Sequence, residues 1–165
     1  MPIADDLPTL FAYNRWADST LLDVVRRLSV EDYTREPAPG WSSVRATVVH
    51  AADALNIWAS RLAGQAPAAR RAEADAPTFA DAERLLKAGH DAFDRILAAT
   101  TADQFAASWS YRDFQGVTHQ LPLWAVFRHV VNHATYHRGQ VASKLKRLGV
   151  EPPSSDLIVW ARQEG

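Results

Sequence analysis

The chain has 165 residues, 47% of them hydrophobic and 22% charged, with a formal net charge of -1. That balance is ordinary for one globular unit with a real core, and we expect a single domain spanning residues 1–165. The near-neutral charge gives no basic field for nucleic acid or an anionic membrane, and no run approaches the roughly 20 apolar residues of a membrane span. Cysteine is absent, which excludes disulfides, iron–sulfur clusters, thiolate zinc sites and a protein thiol nucleophile. "MPIADDLPTLF" at the start has no basic segment followed by an apolar block, so a cytoplasmic protein is expected.

Four long segments carry helical spacing. In the first, about residues 4–28, Leu7, Leu10, Phe11, Ala17, Leu21, Val24, Val25 and Leu28 recur at steps of three and four. "EPAPG" at 36–40 breaks any helix. The second runs from about 43 to 63, behind Ser42 as N-cap, and stops at Gly64. Its apolar line is Val44, Val48, Ala51, Leu55, Trp58 and Leu62. A link rich in proline and alanine follows. The third helix opens on Thr78-Phe-Ala-Asp81, a capping box with Asp in the Glu position, and runs to about Thr100. "SWSYRDFQGVTHQL" then reads as a short hairpin turning at Gly116. Pro122 fits the first turn of the fourth helix, which reaches Leu148 and ends at Gly149. The tail is expected to dock through Leu157, Ile158 and Trp160. Four amphipathic helices in a chain of this length predict an all-α four-helix bundle.

"FRHVVNHATYHRGQ" in the fourth helix holds His129, His133 and His137. Residues four apart lie about 40° apart around a helix and about 6 Å apart along it, so two imidazoles can reach one ion. Residues eight apart are about 12 Å apart, so His129 and His137 do not share one. Measured from the centre of the apolar stripe, His137 falls about 50° away, His133 about 90° and His129 about 130°. The His133–His137 pair therefore faces or edges the interior, and His129 leans outward. Helical His-x-x-x-His spacing is a moderate metal signal; the alternative is two half-buried histidines bonded to protein groups. Val130 and Ala134 stand where a zinc protease needs Glu, and no Glu-x-x-His motif of a di-iron bundle exists. A third ligand is required. Periodicity does not choose among His50, His90 and His119.

"LFAYNRWADSTLL", "WSSVRATVVHAADALNIWASRLAG" and "FRHVVNHATYHRGQVASKLKRLGVEPPSSDLIVW" together resemble the DinB family over nearly the whole chain. The resemblance implies an up-down-down-up four-helix bundle, commonly a homodimer, holding a divalent metal on three histidines. Matched residue by residue, those ligands are His50, His133 and His137, and His129 lies outside the set. Zinc or nickel suits three imidazoles. Such a site activates water or thiol. Because the chain has no cysteine, a thiolate must come from a low-molecular-weight thiol cosubstrate. The expected function is thus a metal-dependent, thiol-dependent S-transferase or hydrolase acting on a small molecule. The alternative is a non-catalytic metal- or ligand-binding dimeric bundle. Asn14 on the apolar stripe of the first helix needs a partner, a ligand histidine or a backbone group. Asp53, one turn after His50, is either its acceptor or a solvated charge. Arg138 is expected in a salt bridge before an anionic substrate. Trp16, Trp58 and Trp160 are candidate pocket walls, and no side chain is singled out as catalytic.

Overall fold

The computed structural model describes residues 3–164 in backbone and 6–163 in side chain. Its order is α1 (Ile3–Val25), α2 (Val30–Thr34), α3 (Val44–Leu62), a 3-10 turn (Glu73–Asp75), α4 (Phe79–Ala99), α5 (Ala102–Ala106), β1 (Ser108–Arg112), β2 (Thr118–Pro122), α6 (Leu123–Arg147) and α7 (Leu157–Glu164). No helix among the described residues is long and apolar enough to cross a membrane.

The polar contacts between the four long helices fix their directions. Arg128 reaches Asp6 and Arg138 reaches Asp18, so α1 and α6 run parallel. Arg45 Nη1 donates to the Pro77 carbonyl and Asn56 Nδ2 to the Leu85 carbonyl, so α3 and α4 also run parallel. Lys144 Nζ donates to Ser42 Oγ at 2.7 Å and Trp58 meets His129, so α3 and α6 are antiparallel. The bundle is up-down-down-up, as expected. Phe11, Phe93 and Phe127, one each from α1, α4 and α6, pack at its centre with ring separations of 4.8 to 5.9 Å. Burying rings of this size against one another is the main apolar gain of such a core. Gly89 lets α3 and α4 close on each other, because a Cβ there would sit 2.8 Å from the Leu55 side chain.

Helix ends follow their capping chemistry. The Thr78–Asp81 box is present, with both reciprocal bonds. The α3 N-cap is Ser43, not Ser42: its hydroxyl accepts from the Ala46 N–H, because the helix starts one residue later. The hairpin pairs Trp109 with Leu121 and Tyr111 with His119, and turns at Gly116 with φ +79°. A positive φ is open to glycine without steric cost. Pro122 closes β2 and immediately precedes α6. Three pieces carry no long-range periodicity and were not anticipated: α2, α5 and the 3-10 turn. Local caps start α2 and α5, with Ser29 accepting from the Asp32 N–H and Thr101 from the Gln104 N–H. The tail docks through Trp160, whose ring lies 6.1 Å from Tyr13. Leu157 and Ile158 do not dock; they stay 44% and 59% exposed, because the short α7 turns only one face to α1.

Candidate metal centre

Because α3 and α6 are antiparallel, His50 of α3 meets the His133–His137 pair of α6 across their interface. The His50 ring centroid lies 4.6 Å from that of His137 and 5.8 Å from that of His133. One ring nitrogen from each of the three lies within 4.8 Å of the others. A metal–nitrogen bond of about 2.1 Å spans nitrogens up to about 4.2 Å apart, so any closing movement onto one ion is under about 1 Å. The donor set also fits in chemistry, being three imidazoles with no competing carboxylate in the group.

The tautomers follow from one hydrogen bond. His137 Nδ1 lies 2.7 Å from Gln140 Oε1, and a carboxamide oxygen only accepts, so Nδ1 carries the proton. His137 Nε2 then presents a lone pair, 3.1 Å from His133 Nε2. Loss of water on burial lowers the pKa of all three rings. For His133, burial and the neighbouring His137 push it down to about 4. For His50, burial acts first, followed by His137 and Arg70, against a smaller opposing effect of Asp53. For His137, burial outweighs the Gln140 contact, and Lys144 and Arg70 add to the lowering. At neutral pH the site therefore offers neutral nitrogen donors, the form that binds metal.

The face geometry read from α6 holds. His137 is buried, His133 half-buried and His129 exposed. His129 is outside the group of three, yet it is not free in solvent. It stacks on His133 at 5.4 Å and meets Trp58 at 5.1 Å. His90 and His119 are elsewhere, paired with Asp18 and Asp113. A cleft of about 190 Å³ opens beside the cluster, lined among others by His50, His133, His129, Trp58, Arg61 and Phe114. Of the tryptophans expected to wall a pocket, Trp58 does so here, while Trp16 and Trp160 pack near Tyr13 instead.

Two other readings resolve differently from expectation, and a third holds. Asn14 bonds neither a histidine nor a backbone group; its Oδ1 accepts from Arg138 Nη1 at 2.6 Å. Asp53 is neither solvated nor the acceptor of His50. It is 6% exposed and accepts from the Arg71 backbone N–H at 2.9 Å, tying the α3–α4 link down. Arg138 forms the expected salt bridge, with Asp18 at 2.8 Å. Sequence reasoning missed Gln140, although it stands one turn after His137. It also missed Arg61 and Phe114, whose partners come from segments far apart in the chain.

Helices of this order, carrying a cluster of three histidines between antiparallel neighbours, define a helical-bundle protein with a histidine-lined cleft. The chain matches the model of the DinB family over residues 1–164 and belongs to that family. Its fold is similar to the crystal structure of a DinB-like protein from Bacillus cereus ATCC 10987. That similarity has a TM-score of 0.72 at 19% identity and covers 91% of this chain and 95% of the other. No curated protein matches the sequence.

Proposed function

We propose that the protein binds a divalent transition metal, zinc or nickel, through His50, His133 and His137, and uses it for thiol-dependent S-transfer or hydrolysis of a small molecule. The observation that supports this most is the convergence of three neutral imidazoles within 4.8 Å beside a cleft. When bound, an ion held by three uncharged ligands keeps its full charge and lowers the pKa of a coordinated water or thiol. Gln140 orients His137 by holding Nδ1–H, so that Nε2 faces the other ligands. Trp58 and Phe114 keep water off the walls of the cleft. His129, held below its usual pKa by burial against its neighbours, is neutral at pH 7 and stands at the same cleft to take up a proton. With no cysteine in the chain, a thiolate nucleophile arrives on a cosubstrate.

Metal analysis of tag-free protein is the first test, and about one equivalent is expected. A content below about a tenth of an equivalent, with no uptake on titration, would overturn the reading. Screening small thiols, and water alone, against electrophilic acceptors then tests catalysis. Turnover lost in a folded His50→Ala variant supports the enzyme. Full metal occupancy without turnover in any pairing favours the alternative, a metal that only ties α3 to α6.

A further inference from the structure

The cleft beside the histidines contains an arginine whose hydrogen-bonding capacity is unused. Arg61, in the last turn of α3, is 8% exposed, yet its side chain makes no hydrogen bond or salt bridge among the described residues, and its Nε is buried without a partner. A buried cation without a counter-charge is costly, and proteins rarely leave one so. Asp53, which lines the same cleft, and Asp113, whose charge acts on Arg61 without a hydrogen bond, are both bonded elsewhere. Asp53 is bonded to the Arg71 backbone and lies 3.5 Å from Arg71 Nε. Asp113 is bonded to His119 at 2.7 Å and to the backbone N–H groups of Gln115 and Val117 at 2.9 Å each. Three aromatic rings hold the Arg61 guanidinium instead, with Trp58 and Tyr111 at 4.9 Å and Phe114 at 5.0 Å. Contact with ring faces fixes the guanidinium plane while leaving its N–H donors free. Arg70 joins it, 5.6 Å from the Phe114 centroid, and also makes no salt bridge among the described residues. Both arginines line the same cleft as His50 and His133.

We propose that this cleft recognises a small substrate by an oxyanion group, a carboxylate or a phosphate, gripped by Arg61 and Arg70 while the rest of the molecule faces the histidines. The assignment names the substrate class of the site proposed above and rests on that reading for its catalytic meaning. A guanidinium presents paired N–H donors that match either oxyanion in a bidentate manner. The cleft is small, about 190 Å³, and suits a compact molecule. The wider groove between Trp41 and Lys144 lacks this character. Its one buried cation, Lys144, already donates to Ser42, Thr47 and the Ser43 carbonyl.

The test uses full-length protein stripped of metal with a chelator and titrated calorimetrically with inorganic phosphate and, separately, with malonate. Saturable binding of at least one anion is expected. Arg61→Gln should weaken it at least about tenfold, and Arg70→Gln about threefold or more, while Arg95→Gln on the outer face of α4 leaves it within about twofold. The better of the two anions identifies the group recognised. Failure of both to bind the wild-type protein, or equal affinity in Arg61→Gln and wild type, overturns the proposal. If Arg61→Gln does not fold, Arg70→Gln, an exposed position, decides the matter by the same criterion. Because no metal is present, a negative result here leaves the histidine site intact, and a protein that takes up no metal can still pass this test.

Discussion

Around Asp18, His90 Nε2 and Arg138 Nη1 close on one carboxylate at 2.9 and 2.8 Å, whereas His133 and His137, on the same α6, close on each other and on His50. The first group joins α1, α4 and α6 and is electrostatically complete. Burial alone would raise the Asp18 pKa, but the His90 hydrogen bond and the Arg138 charge outweigh it and hold the carboxyl below its usual range. Arg138 also donates to Asn14 and Thr135. The second group joins α3 and α6, contains no carboxylate, and turns the His137 Nε2 lone pair toward His133 Nε2 at 3.1 Å. His90 is thus answered by an acid, whereas His50, His133 and His137 meet only one another.

Breaking the first group should have the largest effect. Asp18→Ala leaves Arg138 buried without its counter-charge and His90 without its hydrogen-bond partner, which is expected to cost about 3–5 kcal/mol. Thermal unfolding should show a fall in Tm on the order of 10 °C for a domain of this size, with residual metal affinity little changed in whatever fraction stays folded. Breaking the second group should do the reverse. His133→Ala is expected to weaken metal binding by more than about 100-fold, beyond what the loss of an orienting partner causes. The metal-free Tm of that variant should not fall; a large drop would mean that the cluster is structural. Gln140→Ala removes only the group that orients His137, and about a tenfold loss of metal affinity is expected. His129→Ala should leave metal affinity within about threefold while lowering any turnover by about 100-fold as a lost proton acceptor.

The smallest effect separates the two groups by pH. In metal-free protein the unfolded histidines take up protons near pH 6.5, but folded His133 does so only near about 4. The unfolded state then binds more protons, so stability falls as pH drops from about 6.5 to about 4. Asp18 has its pKa lowered on folding, so its contribution is present above the usual carboxylate value of 3.8 and is lost only at more acidic pH. Two separate acid-sensitive ranges in the Tm of wild type are expected, and His133→Ala should flatten the upper one.

The long helices were legible because apolar residues at three- and four-residue steps survive any partner arrangement. The His133–His137 pair was legible for the same reason, since both lie on one helix whose stripe sets their direction. His50 was not, because its meeting with that pair depends on the register between α3 and α6; the family resemblance singled it out. Asp53, Asn14 and Arg61 were misread or missed on related grounds. Each is polar on a helix, and each is buried by a segment distant in sequence: the link at Arg71, α6 at Arg138, and the hairpin at Tyr111 with Phe114 of its loop. Pattern within one helix carries no information about such partners. The short α2 and α5 have too few residues to display a period at all.

The parallel course of α3 and α4 obliges residues 63–78 to return along the bundle before α4 can begin. The later part of this connection packs on the bundle, with Glu73 bonded to Ser43 and Arg45 and Ala76 in the core, while its earlier part brings Arg70 to the cleft. Lengthening such a connection costs little, since closure entropy grows only slowly with loop length. The fold therefore divides the cleft into two parts: the long helices set the register of His50 against His133 and His137, and the connection between α3 and α4 adds Arg70 to the wall. Changes confined to residues 65–70, ahead of the Arg71–Asp53 tie and the buried Ala76, would reshape the cleft wall without repacking the core.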